Sequence, residues 1–316
     1  VLDHLLKLSL DLTNMGYDIY DYLDYLEKVI NEGIEIEYSV PSAWYEGVYK
    51  DSTAPCNAGR SFSLVHKDDS DTAVLCVHGY TGYPGELVRP AYDLYDIGYD
   101  VFVPRLPGHG TSGKDFEKSR REDWIGVPMN AAKDLVKRYK NVYIVGHSMG
   151  GGISLIVASK VKEIKKAVLV APAVYAGEPL PVHPKLAIVI SKVLKRFRHK
   201  WHSNPKYHLH YENAPADDLY LGHEYWSWVY VRAIYERHQQ MREAAAALPS
   251  LAMPVKVLKL SDDVILPNPD YTEYIRKHIS SPCEIVEIEN ATHYVFYDIN
   301  PKAEDKAVEE VLSFLS

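Results

Sequence analysis

Three residues that could do chemistry together stand in one order along the chain: Ser148, Asp263 and His293. A serine hydroxyl is a weak nucleophile at neutral pH and needs a base. Imidazole is the side chain whose pKa lies nearest neutrality. A carboxylate then fixes the imidazole tautomer and stabilises its charged form. Ser148 lies in Gly146-His147-Ser148-Met149-Gly150, a Gly-x-Ser-x-Gly turn. It follows the β-branched and aromatic run Val142–Val145 and precedes the small and apolar run Gly151–Ala158. Strand, tight turn and helix form the context that gives this motif a mechanism. The turn strains Ser148 so that its Oγ projects from the C-terminal edge of a sheet. Gly146 and Gly150 keep side chains out of the space where strand and helix nearly touch. The Met149 N–H opens the helix, where unpaired donors and the positive dipole end favour a developing oxyanion.

The other groups should come from loops at the same strand ends, in chain order Ser, Asp, His. The strand expected at Val255–Leu260 runs into Ser261-Asp262-Asp263-Val264-Ile265-Leu266-Pro267. The last expected strand, Glu284–Ile288, runs into Asn290-Ala291-Thr292-His293-Tyr294. Asp262 is the second candidate for the acid. Thr72–His78 reads as a continuous apolar strand buried on both faces. It ends in Gly79-Tyr80-Thr81-Gly82, a loop whose backbone can approach a ligand closely, and the Tyr80 N–H is assigned as the second oxyanion donor beside that of Met149. His109, in Leu106-Pro107-Gly108-His109-Gly110, is read as a loop-shaping residue, because His293 is the better base.

These groups need a frame. Strand and helix patterns alternate from about residue 72 to 171: helix Pro84–Ile97, strand Tyr99–Pro104, helix Trp124–Tyr139, the serine strand and its helix, then strand Lys165–Ala171. That rhythm predicts a mostly parallel, doubly wound α/β sheet, with ligands beyond the strands' carboxyl ends. Short strand signals stand at Ile34–Tyr38 and Ser61–His66. Residues 173–248 break the rhythm and are read as an inserted, mostly helical lid, with helical periodicity at Lys185–Phe197 and Tyr225–Leu248. Aromatic residues of this segment, among them Tyr225, Trp226 and Trp228, would wall an apolar substrate pocket. His199, His202, His208 and His210 match no familiar metal spacing. The rhythm resumes with helix Tyr271–His278 and closes with helix Asp305–Leu315. The core is thus expected at 51–172 and 249–316. Residues 1–50 form an extension with two helical pieces before Gly33 that serves as packing or as a dimerisation or docking arm.

Composition bounds the partners. The hydrophobic fraction is 47% and the charged fraction 25%, ordinary for a globular domain. A net charge of -8 without a basic block argues against nucleic acid. No apolar window is long enough to span a membrane, and Asp3, Lys7 and Asp11 break up any secretory h-region. Cys56, Cys76 and Cys283 show no disulfide or zinc spacing, which points to a reducing, cytoplasmic setting. A monomer or homodimer is expected.

The motifs resemble the α/β-hydrolase superfamily, and within it the carboxylesterase, monoacylglycerol lipase and lysophospholipase-like branch, akin to serine aminopeptidase-type hydrolases. The resemblance is carried by His78-Gly79-Tyr80-Thr81-Gly82, Pro104-Arg105-Leu106-Pro107-Gly108-His109-Gly110-Thr111-Ser112, Glu122-Asp123-Trp124, Gly146–Gly151 and the Asp263 and His293 loops. It favours Asp263 over Asp262. It implies attack by Ser148 on an ester carbonyl, proton transfer through His293, hydrolysis of an acyl-enzyme, and no metal or organic cofactor. The expected substrate is a short- to medium-chain or aromatic acyl ester. The alternatives are an acyltransferase or thioesterase with the same triad, a peptidase, and a non-catalytic receptor on the same fold. An imidazole base implies a rate that falls below about pH 6.

Overall fold

The computed structural model describes residues 59–68, 70–174, 189–190, 194–198, 228–266, 270–297 and 300–316. The helical pieces expected in residues 1–33, the strand signal at 34–38, Cys56, Tyr225, Trp226 and the histidines at 199, 202, 208 and 210 lie outside these.

In chain order the elements are β1 (Phe62–Leu64), β2 (Thr72–Val77), a 3-10 turn at Pro84–Leu87, α1 (Val88–Asp96), β3 (Asp100–Val103), α2 (Gly113–Lys118), α3 (Arg121–Arg138), β4 (Asn141–His147), α4 (Met149–Lys160), β5 (Ile164–Val170), β6 (Arg196–Arg198), β7 (Trp228–Tyr230), α5 (Val231–Ala247), β8 (Val255–Leu260), α6 (Asp270–His278), β9 (Cys283–Ile288) and α7 (Pro301–Leu315). Among the described residues, seven strands form one sheet in the order β1-β3-β2-β4-β5-β8-β9. Every pairing is parallel except that of β1 with β3. The order reverses direction at β2, as in a doubly wound sheet. β6 and β7 pair with each other in a separate antiparallel ladder.

The strands are apolar runs because both faces are covered. Ala73, Leu75 and Val77 of β2 and Val142 and Ile144 of β4 share one core with residues of α3 and α4. Val74 and Cys76 alternate to the opposite face, where α1 and α7 pack together. Cys76 is fully buried, and burial pushes its thiol up to about 12, so it is an inert core residue. Lys256 of β8 is buried and reaches Glu310 of α7 at 2.7 Å. The outermost strand β9 carries Glu284 and Glu287 opposite Lys256 and Lys259 of β8.

Several boundaries differ from the periodicity. The helix expected from Pro84 is a 3-10 turn followed by α1, with Pro90 in α1's first turn, where a missing N–H costs nothing. α2 is an extra helix. Its signal is Ser112, whose side chain accepts from the Asp115 N–H at 3.2 Å. α3 starts at Arg121 instead of Trp124, since the Arg120 N–H donates to Asp123 Oδ2 at 2.9 Å. Phe197 and Trp228, expected to be helical, are strand residues of β6 and β7, where Phe197 pairs with Val229 and Trp228 with Arg198. α7 begins at Pro301 after the Asn300 cap, four residues before the expected start.

Candidate active site

β4 ends at His147, and the chain turns at once into α4. Ser148 holds that turn with φ 54° and ψ -119°, a strained left-handed backbone for a side-chain-bearing residue. The strain is held from both sides. The Ser148 N–H donates to the Val170 carbonyl at 2.8 Å, and the Ser148 carbonyl accepts from the Ala173 N–H at 2.9 Å. Glycine is required around it. A Cβ at Gly146 would overlap the Gly150 carbonyl, and one at Gly150 would overlap the Val77 and His78 carbonyls. The chain after β2 passes directly beside Ser148, for a Cβ built at Gly79 would lie 3.3 Å from the Ser148 Cβ. The Tyr80 amide follows in that loop. Met149 is the first residue of α4, where helical N–H groups have no intrahelical acceptor.

The Asp263 and His293 loops leave the adjacent strands β8 and β9, whose last residues Leu260 and Ile288 are paired. Ser261 N–H donates to the Ile288 carbonyl at 3.1 Å and Asp262 N–H to the Ala291 carbonyl at 2.9 Å, which ties the two loops together. Asp263, and not Asp262, meets the imidazole: His293 Nδ1–H donates to Asp263 Oδ2 at 2.7 Å. Both side chains are buried, at 5% and 3% exposure. The other carboxylate oxygen accepts from the Ile265 and Leu266 N–H groups at 2.8 and 2.9 Å. Burial opposes the charged form of Asp263, but the His293 ring and these hydrogen bonds outweigh it and hold the carboxyl below the usual range. Asp263 is thus a carboxylate that fixes His293 with the proton on Nδ1, leaving Nε2 as the basic nitrogen.

Ser148 and His293 are both buried at this sheet edge. A hydrogen bond between them is not among those formed by the described residues; His293 is held through Asp263 and through His147. His147 Nε2–H donates to the His293 carbonyl at 2.7 Å, with the rings 5.0 Å apart. Burial, then the neighbouring His293, lowers the His147 pKa to about 3, so this ring is neutral. Sequence reasoning missed His147. Its only signal was a histidine as the last residue of a buried strand.

A second histidine outside the expectations braces the Tyr80 loop. His78 Nε2 accepts from the Leu106 N–H at 3.0 Å, so its proton sits on Nδ1 and donates to the Gly79 carbonyl at 3.1 Å. Burial foremost holds its pKa well below the ordinary value. His109 is also fully buried, donates to the Pro107 carbonyl and packs edge-on against Phe116 and Trp124. That is the loop-shaping placement expected of it. Of the residues proposed to contact substrate, Trp228 is half-buried in β7 with the Arg196 guanidinium 4.7 Å from its ring centroid.

The parallel sheet, the strained serine turn after its central strand and the two loops at its far strands define an α/β-hydrolase. The chain belongs to the family described as serine aminopeptidase, S33, whose model matches residues 68–300. It is similar to a thermostable monoacylglycerol lipase of Bacillus sp. strain H-257, 28% identical over 242 residues that span 74% of this chain and 87% of that one. A carboxylesterase of Bacillus subtilis strain 168 is 31% identical over 86 residues, covering 27% of this chain and 35% of its own. Among solved structures, one from a study of the metagenome-derived lipolytic enzymes LipS and LipT superposes with a TM-score of 0.65 at 21% identity, covering 82% of this chain and 97% of that one. The monoacylglycerol lipase of Paleococcus ferrophilus superposes with a TM-score of 0.62 at 20% identity, covering 81% and 99%. These two likenesses establish the fold.

Proposed function

We propose that this protein hydrolyses carboxylic esters through Ser148, His293 and Asp263. His293 Nε2 takes the Ser148 proton as Oγ attacks the ester carbonyl. The Tyr80 and Met149 amides hold the tetrahedral oxyanion. The imidazolium, stabilised by Asp263, protonates the leaving alcohol. A water molecule, deprotonated by the same nitrogen, then releases the acid and restores the serine. The observation that carries this reading is the buried 2.7 Å His293–Asp263 pair at the strand ends where Ser148 holds its strained turn.

The preferred substrates are short- to medium-chain or aromatic acyl esters, with monoacylglycerol among them. Tyr225, Trp226 and Trp228 are proposed to wall the acyl pocket. The monoacylglycerol lipase relative supports this choice. Replacing Ser148 with Ala should lower kcat on p-nitrophenyl esters by about a thousandfold or more and abolish fluorophosphonate labelling. Turnover retained in that variant excludes the serine mechanism. Competition between water and added alcohols or thiols for the acyl-enzyme separates a hydrolase from a transferase.

A further inference from the structure

The loop bearing the Tyr80 amide is gripped through the Tyr80 ring. The Tyr80 ring packs edge-on against Phe116 of α2 at 5.2 Å and Trp124 of α3 at 6.1 Å. It also meets α5: the Arg237 guanidinium lies over the ring, 5.5 Å from its centroid. α5 itself is fixed. Arg121 of α3 reaches Glu236 at 2.8 Å and Glu243 at 2.7 Å, and Gln240, fully buried, lies against Gly152 of α4. Arg237 therefore projects from a clamped helix. Its Nε is buried, which strengthens attraction between cation and ring. Burial raises the Tyr80 phenol while Arg237 draws it down, so the ring stays neutral and the two groups sense each other.

We infer that Arg237 is a positioning residue: its guanidinium, stacked on the Tyr80 ring, holds the Tyr80 amide where the oxyanion forms and so makes catalysis depend on the seating of α5. Any backbone shift that swings the Tyr80 N–H out of line must also move its Cα and drag the ring out of its contacts with Arg237, Phe116 and Trp124. An oxyanion donor acts on the transition state more than on the bound ester. Loss of the brace should therefore show in kcat.

This inference rests on the serine mechanism proposed above, so Ser148→Ala is run alongside. In Arg237→Met, kcat on p-nitrophenyl esters should fall about tenfold with KM within twofold of wild type. Inhibition by a trifluoromethyl ketone, which binds as an oxyanion-bearing adduct, should weaken by a similar factor. Arg237→Lys, which keeps a cation over the ring, should recover most of the rate. Tyr80→Leu should lose rate to a degree that Arg237→Met does not deepen. Circular dichroism and the thermal midpoint report folding, and Arg237→Gln replaces the Met variant if that one does not fold. An unchanged kcat in the folded variant overturns the brace, as does a raised KM at constant kcat, which would make Arg237 a substrate contact. An active Ser148→Ala removes the underlying mechanism instead, and an inactive one with unchanged Arg237→Met removes the brace alone.

Discussion

Asp263 has one carboxylate oxygen on two backbone N–H groups and the other on His293. An asparagine there would keep its carbonyl on the Ile265 and Leu266 amides and turn its NH2 towards His293 Nδ1. The ring would have to move its proton to Nε2 and cease to be a base. Asp263→Asn should therefore lower kcat by about 10³- to 10⁴-fold with KM changed little, while Asp262→Asn stays near wild type. Steady-state kinetics on one ester tests both. The candidates Ser148, Asp263, His293 and Tyr80 stand out in the sequence because their types and spacing follow strand ends. The contacts of His147, His78 and Arg237 do not, since they join loops and helices distant in the chain. Nothing near His147 in the chain announces that it will meet the carbonyl of His293, 146 positions away.

At the scale of elements, β2, β4 and α4 meet at Gly150, where a methyl group would enter the Val77 and His78 carbonyls. The Val77 backbone cannot retreat without disturbing its pairing with Gly146 in the β2–β4 ladder. Gly150→Ala should cost about 3 kcal/mol in urea unfolding and should displace the serine turn, so activity falls further than stability explains. An unfolding midpoint equal to wild type would contradict this packing. The strands that build the centre were legible because burial on both faces writes a continuous apolar run: β8 occupies the expected span without a shift. The misreadings came where local signals compete. Arg196–Arg198 carries a helical pattern, yet pairs with Trp228–Tyr230, and cross-strand pairing wins over periodicity. α2 is only six residues long and too short to show a period.

For the molecule as a whole, the buried histidines set its response to acid. His78, His109 and His147 are held neutral chiefly by burial, the last two at about 3. The unfolded chain binds these protons near pH 6.5. Their contribution is complete above that pH and is lost as pH falls towards the folded values, because the unfolded state then binds more protons. Each histidine contributes a slope of roughly 1.4 kcal/mol per pH unit in that window, so the three together reach roughly 4. Urea midpoints at pH 7.5, 6 and 5 should drop with increasing steepness, and His109→Phe should remove about one proton from the slope. A midpoint independent of pH would show that these rings are solvated. Among the described residues no helix is long and apolar enough to cross a membrane.

The acidic outer strand of the sheet has a consequence for what could ever join it. Glu284 and Glu287 are an odd number of residues apart, so their carboxylates guard the upper and the lower surface of β9 alike. A stray peptide extending the sheet there would have to disturb, on both faces, the ion pairs these carboxylates make with Lys256 and Lys259.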